Sequence, residues 1–189
     1  MAAGEKHYTI INGIKIRYNR TGGDKPPLVM LHGLTACGSC WTEVARLLGK
    51  DYDIIMPDAR GHGESDAPHD GYSYKDYADD VLGLINSLKL DSPVLLGHSM
   101  GGMTALLASG MCPGSAGAIV LADPPFLGTG MQRKIYDSYL SDHRHHVLDV
   151  THEDLVSDLQ RRHPSRSPEI TGIIAAARRK TSLAAFEVL

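Results

Sequence analysis

Ser99 is the residue whose neighbours most clearly indicate chemistry. It stands at the centre of Gly97-His98-Ser99-Met100-Gly101, which matches the pattern Gly-x-Ser-x-Gly. In such a turn a strand reverses sharply into a helix, and the small glycines let the two backbones approach while the serine hydroxyl stays exposed. The helix N-terminus adds unpaired N–H groups and positive partial charge. The spacing therefore predicts a nucleophile for acyl transfer at Ser99, with the Met100 N–H stabilising the oxyanion.

A second group of candidate residues is His32-Gly33-Leu34, which directly follows the apolar run Leu28-Val29-Met30-Leu31. Where a Gly-x-Ser-x-Gly turn carries the nucleophile, the loop after such a strand supplies another oxyanion donor. The backbone N–H of Leu34 is the best candidate for that donor. For these three residues alone, a turn without function is the competing interpretation.

The elements that must position these residues form an alternating pattern of short apolar runs and longer amphipathic stretches. This alternation is typical of βα units in a mostly parallel sheet, so an α/β fold is predicted. Asn12-Gly13 between two strand-like runs predicts an antiparallel hairpin at the N-terminal sheet edge. One helix is predicted directly after Ser99, and another over residues 74–88, where apolar residues recur every three or four positions. The predicted strands are His7–Ile11, Ile14–Tyr18, Leu28–Leu31, Asp53–Met56, Val94–Leu96 and Ala118–Ala122.

The composition argues against several classes of protein. Of the 189 residues, 42% are hydrophobic and 22% are charged, which is ordinary globular usage and not that of a disordered or fibrous chain. A net charge of −3 gives no reason to expect nucleic-acid binding. No apolar run reaches the ~18 residues that span a bilayer, and the N-terminus lacks the apolar core of a signal peptide. Three cysteines do not form a disulfide framework, so a cytoplasmic protein without a membrane partner is expected.

A third motif, Pro57-Asp58-Ala59-Arg60-Gly61-His62-Gly63-Glu64-Ser65, follows the predicted strand Asp53–Met56. With the two motifs above, it makes the chain resemble the α/β-hydrolase fold superfamily from about residue 7 to the chain end. Within that family the chain is most similar to small capped serine hydrolases, namely esterases, lactonases and carbon–carbon hydrolases. In that resemblance the Pro57–Ser65 loop is structural and shapes the turn beside the site.

The resemblance also implies how the chain is divided. Residues 1–125 are expected to form the N-terminal part of the hydrolase core, with its antiparallel hairpin and mostly parallel sheet. Residues 126–189 are expected to form an incomplete helical cap or lid, because they contain helical patterns, many charges and no further convincing buried strand. The last strands of the family's sheet are expected to be missing.

A serine nucleophile needs a base, and the base needs an acid that orients it. In the family that the chain resembles, the acid follows the strand beyond the cap and the histidine follows the last strand. Neither strand is predicted before Leu189. Two explanations stay open: the chain is a fragment of a longer hydrolase, or a second chain completes the site. In both, this chain alone is expected to be inactive.

Within the chain, Asp123 is a candidate acid because it ends the predicted strand Ala118–Ala122, where a minority of the family carry the acid. A turn residue before Pro124-Pro125 is the competing interpretation. One of the histidines after Ser99 could supply the base by folding back over the site. These histidines are His143, His145, His146, His152 and His163.

Two other motifs allow different chemistry. Cys37-Gly38-Ser39-Cys40-Trp41 matches the signature of papain-like cysteine proteases, with His163 as the downstream histidine, and its cysteines could also form a redox pair or half of a zinc site. The protease also needs an oxyanion glutamine shortly upstream, which is absent, and the surrounding βα pattern does not fit it. The run His143-Arg144-His145-His146 indicates a metal cluster or, more simply, a solvated polar face.

Two hypotheses for function follow. The first is a serine hydrolase without a cofactor, in which Ser99 attacks a small ester, lactone or related carbonyl compound while Leu34 and Met100 N–H groups hold the oxyanion. The second is a ligand-binding or receptor-type protein that retains the hydrolase fold without catalysis. Labelling by an active-site fluorophosphonate discriminates between them.

Overall fold

The computed structural model describes residues 5–126 and 128–187. Residues 1–4, 127 and 188–189 lie outside this range. The first of these belong to the predicted core, residues 1–125, and the others to the predicted cap, residues 126–189. The strands are β1 Glu5–Ile11, β2 Ile14–Arg20, β3 Pro27–Leu31, β4 Asp53–Pro57, β5 Val94–His98 and β6 Ala118–Ala122. The helices are α1 Thr42–Leu48, α2 Tyr74–Ser87, α3 Met100–Met111, α4 Thr129–Leu148, α5 His152–Arg162 and α6 Pro168–Arg179, with short 3₁₀ helices at Gly38–Trp41 and Leu183–Glu187.

The six strands form one sheet in the order β1-β2-β4-β3-β5-β6. β1 pairs with β2, and β2 with β4, in antiparallel fashion, whereas β4, β3, β5 and β6 run parallel. Asn12 and Gly13 both adopt positive φ in the turn between β1 and β2, as a two-residue hairpin requires. The predicted α/β class, with an N-terminal hairpin at the edge of a mostly parallel sheet, is confirmed.

Both faces of β3 and β4 are covered, which explains why these strands are continuously apolar in the sequence. On one face Val29 and Leu31 of β3 belong to a buried cluster with Val81 of α2 and Ala105 of α3. Alternate residues of the same strand point to the other face, where Met30 packs in a cluster that includes Ala45 of α1. The carboxyl ends of β3, β4 and β5 are thereby fixed side by side.

Helices α4, α5 and α6 form a helical layer over this end of the sheet. Leu155 and Leu159 of α5 pack on Ala175 of α6 in a small buried cluster of their own. The layer is tied to the sheet region by Arg46 of α1, which forms a two-bond ion pair with Glu169. Helices within the described ranges fall short of the length and apolarity needed to cross a bilayer.

Candidate active site

Ser99 occupies the single residue between β5 and α3 and has φ 51° and ψ −117°. This conformation is disfavoured for residues with a Cβ and costs about 1–3 kcal/mol, so the surrounding structure must enforce it. The Ser99 N–H donates to the Ala122 carbonyl at the end of β6, at 2.9 Å, and the Ser99 carbonyl accepts from Gly102 in the first turn of α3. The strand–turn–helix geometry predicted around Ser99 is therefore present.

Glycine is required on both sides of this turn because backbone atoms occupy the space of a side chain. A Cβ at Gly97 would lie 2.1 Å from the Gly101 carbonyl oxygen, and a Cβ at Gly101 would lie 2.3 Å from the Leu31 carbonyl oxygen. Real Cβ atoms do not approach oxygens this closely. The Gly-x-Ser-x-Gly spacing thus has a packing reason here: α3 begins in contact with the ends of β3 and β5.

The loop after β3 passes beside Ser99. A Cβ on Gly33 would lie 3.4 Å from the Ser99 Cβ and 3.0 Å from the His98 Nδ1 atom. Leu34 lines the same cavity as Ser99, and Met100 is the first residue of α3. Neither the Leu34 N–H nor the Met100 N–H donates a hydrogen bond to another residue in the described part of the chain. Leu34 thus shares a cavity with Ser99, Met100 follows the serine directly, and the role of their N–H groups as oxyanion donors stays a prediction.

Two buried histidines hold this loop from behind. The His32 Nδ1–H donates to the Gly33 carbonyl at 2.8 Å, and its Nε2 accepts from the Ala59 N–H at 3.0 Å, which fixes a neutral ring. His62 contacts the Leu34 carbonyl through Nε2 and the Arg60 carbonyl through Nδ1. Burial lowers the pKa of His32 to about 4 and that of His62 to about 3. His32 is therefore neutral at physiological pH, and burial opposes protonation of His62 against the two carbonyl oxygens that it contacts.

The Pro57–Ser65 loop is itself held by buried charges. Asp58 accepts hydrogen bonds from the Gly38 N–H at 2.8 Å and the Glu64 N–H at 2.9 Å. Arg60 donates to both carboxylate oxygens of Asp80 on α2, at 2.6 and 2.7 Å. These contacts fit the structural role expected for this loop.

A cavity of about 340 Å³ lies over Ser99. One side, which we call the sheet wall, consists of Gly33, Leu34, Thr35, Ala36, His98 and Ser99. The other side, the helix wall, consists of Tyr139, Asp142, His143, Arg162 and Arg178. Apart from His143, sequence reasoning did not reach the helix wall. Its two arginines stand in the last turns of α5 and α6, where basic residues are common because they complement the helix dipole, so no local signal distinguishes them.

Of the candidate base residues, His143 is the one that lines the cavity. Its ring is buried beside Phe186, with centroids 4.8 Å apart, and its Nε2 lies 3.0 Å from the Thr181 carbonyl oxygen. His145, His152 and His163 are exposed, and the side chain of His146 lies outside the described residues. Within the described part of the chain, the Ser99 hydroxyl forms no hydrogen bond with a histidine.

Asp123 follows β6 directly and is exposed, with φ 49°. It lies one residue beyond Ala122, whose carbonyl accepts the Ser99 N–H, so the chain at Asp123 adjoins the serine turn. No hydrogen bond or ion pair links Asp123 to a histidine among the described residues. Its role as the acid stays a prediction.

Cys37 and Cys40 are free thiols around the short 3₁₀ helix ahead of α1. A hydrogen bond between the two thiols and burial raise the pKa of Cys37, and neither cysteine lines the cavity over Ser99. No hydrogen bond joins Cys40 to His163, and no group of three or more His, Cys, Asp or Glu side chains converges within the described ranges.

Comparisons with known proteins agree with this fold. A family model described as "alpha/beta hydrolase fold" matches residues 26–171, more than half of the chain. The chain is 34% identical to a 2-(acetamidomethylene)succinate hydrolase of Mesorhizobium japonicum over 111 residues, which are 58% of this chain and 40% of that protein. It is 38% identical to an N-formylmaleamate deformylase of Pseudomonas putida over 130 residues, which are 68% of this chain and 48% of that protein. The matches thus span less than half the length of these curated relatives.

A comparison of folds extends the match to almost the whole chain. The solved structure of an E-2-(acetamidomethylene)succinate hydrolase superposes with a TM-score of 0.80, 24% sequence identity and coverage of 96% of this chain and 70% of the other. At this level of identity the likeness concerns the fold, including the helical layer beyond β6.

Proposed function

The chain belongs to the alpha/beta hydrolase fold family, and on that premise we propose that it acts as a serine hydrolase on a small ester, lactone or related carbonyl compound. Ser99 is the proposed nucleophile. The observation that carries the proposal is the strained Ser99 backbone at the tip of the turn, placed beside two uncommitted N–H groups. Backbone strain of this kind clusters at active sites, where it helps to pre-organise the reacting group.

In the proposed reaction the Ser99 Oγ attacks the carbonyl carbon of the substrate, and the hydroxyl proton passes to a base. The Leu34 and Met100 N–H groups stabilise the negative charge that develops on the carbonyl oxygen. Collapse of the tetrahedral intermediate expels the alcohol or amine, which takes the proton from the base, and leaves an acyl group on Ser99. Water then releases the acid and restores the serine.

We propose that the base and the acid come from a further segment or from a second chain that completes the sheet. The support lies at the sheet edge: β6 pairs with β5 alone among the described strands, and Val120 in its centre is 48% exposed. An unpaired strand edge is a template for another strand. A strand added there would bring its carboxyl end close to Asp123 and Ser99. We further propose that the α4–α6 layer is the start of the cap.

The relatives support hydrolysis of carbonyl compounds without fixing the bond. One relative is named a 2-(acetamidomethylene)succinate hydrolase and the other an N-formylmaleamate deformylase. Because both names contain an amide group, we include amides with esters among the substrates proposed for this chain. Both bond types pass through the same tetrahedral intermediate and need the same oxyanion donors.

The test is labelling of the complete protein by a fluorophosphonate probe, together with hydrolysis of p-nitrophenyl acetate. We expect covalent labelling that is lost in Ser99→Ala and retained in Ser87→Ala, which changes an exposed serine at the end of α2. Labelling that survives Ser99→Ala would place the nucleophile elsewhere. A complete protein that neither takes the probe nor hydrolyses the ester would instead be a binding protein on the same fold.

A further inference from the structure

Arg178 lies in the last turn of α6 and is a charged residue of the helix wall. Its side chain is half-buried, and its Nε atom is enclosed by protein without a hydrogen-bond partner. It forms no ion pair with a carboxylate in the part of the chain that the structure describes. Burying a charged donor without a partner costs free energy, so this arrangement needs an explanation.

Other buried guanidinium groups of this protein are treated differently. Arg60 is held by two hydrogen bonds to Asp80, and Arg17 donates to Asn19 at 2.6 Å and lies 3.5 Å from Asp58. Arg17 and Arg60 thus each have a carboxylate partner within the fold, although the Nε of Arg17, like that of Arg178, has no hydrogen-bond partner. Arg178 faces the cavity instead, where a ligand can supply the acceptor.

The charges around Arg178 leave a positive excess at the cavity. Burial, followed by repulsion from Arg162 and Arg166, lowers the pKa of the Arg178 guanidinium, while Asp158 and Asp142 oppose that shift. Arg162 also lines the cavity, at its exposed rim. Its Nε lies 2.7 Å from an Asp158 carboxylate oxygen, and Asp158 also forms an ion pair with Arg161. Among the described charged residues that line the cavity, Arg162 and Arg178 are basic and Asp142 is acidic, so the lining carries an excess of one positive charge.

We propose that the cavity binds substrates that carry a free carboxylate, with Arg178 as its anchor and Arg162 beside it at the rim. A planar guanidinium binds a carboxylate through two parallel hydrogen bonds, which fixes orientation as well as position. The anchored end would leave the substrate's carbonyl group to face Ser99 across the cavity. This inference rests on the nucleophile proposed above, and it narrows the substrate class to small carbonyl compounds with an acidic group. A volume of about 340 Å³ suits such a molecule.

The test compares two esters in the complete protein: the p-nitrophenyl monoester of succinic acid, and the same compound with its free carboxylate methylated. We expect the wild-type protein to prefer the anionic ester. Arg178→Gln should lower kcat/KM for the anionic ester by about 100-fold, because a charge-assisted contact is lost, and should leave the methylated ester unchanged. Arg178→Lys keeps the charge but not the fork, so we expect a loss of about tenfold.

Neighbouring arginines provide matched controls. Arg179 directly follows Arg178, and Arg161 directly precedes Arg162. Both are exposed, and neither lines the cavity. Arg179→Gln and Arg161→Gln should therefore retain the preference for the anionic ester, whereas Arg162→Gln should weaken it. Arg178→Gln should melt no lower than the wild-type protein, since it removes an unpaired buried charge, so lost activity will not reflect unfolding. Equal losses on both esters would overturn the proposal.

A binding measurement separates this inference from the proposed catalysis. Calorimetry on Ser99→Ala should detect monomethyl succinate but not dimethyl succinate, and Arg178→Gln in that background should abolish the signal. If the complete protein hydrolyses no ester but still binds monomethyl succinate through Arg178, the catalytic proposal fails and the carboxylate site stands. If it hydrolyses both esters equally and binds neither ligand selectively, the carboxylate site fails and the hydrolase stands.

Discussion

The two walls of the cavity over Ser99 are built in different ways. The sheet wall owes its geometry to the backbone: a strained serine, glycines in contact with carbonyl oxygens, and two N–H groups beside the serine. The helix wall consists of side chains from α4, α5 and α6, among them the half-buried Arg178. Backbone geometry fixes where a reaction can occur, whereas interchangeable side chains decide which molecule fits.

Two arginine–carboxylate pairs show the same contrast. Arg60–Asp80 supports the loop behind the sheet wall, and its side chains are 7% and 9% exposed. Arg46–Glu169 docks the helical layer, and its side chains are 39% and 56% exposed. Both pairs make two hydrogen bonds of similar length. Because water screens the second pair and not the first, Arg60–Asp80 should contribute more to stability than Arg46–Glu169. The helical layer is also held by a buried apolar cluster, in which Leu140 of α4 packs with Leu34 and Met100.

The largest expected effect is that of Gly101→Ala. The added Cβ would lie 2.3 Å from the Leu31 carbonyl oxygen and 2.8 Å from that of His32, which are backbone atoms that cannot rotate away. We expect the free energy of unfolding to fall by about 4 kcal/mol or more. Urea denaturation followed by circular dichroism measures this change.

Gly110→Ala is the matched control in the same helix. A Cβ at this position would have no other atom within 4 Å, so alanine should raise the free energy of unfolding by about 0.5–1 kcal/mol through its better helix propensity. Similar behaviour of the two variants would mean that the serine turn is not tightly packed, and the contrast between the walls would lose its basis.

This contrast also explains which features of the structure could be predicted from the sequence. Backbone constraints leave marks on nearby residues: Gly97 and Gly101 lie two positions from Ser99, Asn12-Gly13 marks the hairpin, and continuous apolar runs mark the strands. The six predicted strands and the helices after Ser99 and over residues 74–88 are present as predicted. The Ser99 turn could be located for the same reason, whereas the oxyanion role of the Leu34 and Met100 N–H groups stays a prediction.

The helix wall could not be located in this way. Arg178 and Ser99 are far apart in the chain, and only the packing of α6 over the sheet brings them to one cavity. Arg178 and Arg179 are adjacent and identical in type, yet one faces the cavity and the other is exposed and donates to the Val150 carbonyl. Helix rotation decides between them, and it depends on tertiary contacts with Leu155 and Leu159 rather than on local sequence.

The next effect in size concerns the two arginine–carboxylate pairs. Asp80→Asn removes the closer carboxylate of the buried Arg60 and leaves Asp76, at 4.0 Å, to balance its charge, so the free energy of unfolding should fall by about 3 kcal/mol. Glu169→Gln removes the exposed partner of Arg46, and we expect the denaturation midpoint to stay where it is. Chemical denaturation of both variants against the wild-type protein is the measurement. A larger loss for Glu169→Gln than for Asp80→Asn would show that burial does not decide which of the two pairs stabilises the fold.

The smallest expected effect is a pH dependence that originates behind the sheet wall. Burial lowers the pKa of His62 to about 3 from an ordinary value of 6.5, so below pH 6.5 the unfolded chain takes up a proton that the folded chain refuses. Stability is therefore lost as the pH falls from 6.5 towards the folded pKa, and each such group contributes about 1.4 kcal/mol per pH unit. His32, with a pKa lowered to about 4, acts in the same direction.

His62→Gln keeps a donor that can reach the Leu34 carbonyl but no longer titrates. Between pH 6 and 4.5 the free energy of unfolding of this variant should fall less steeply than that of the wild-type protein, by about 1.4 kcal/mol per pH unit. His69→Gln, which changes an exposed histidine, should keep the wild-type slope. Denaturation curves at several pH values give the slopes directly. Equal slopes for His62→Gln and the wild-type protein would show that solvent protons reach His62 in the folded state. The residues behind the sheet wall would then be no better shielded from water than the helix wall.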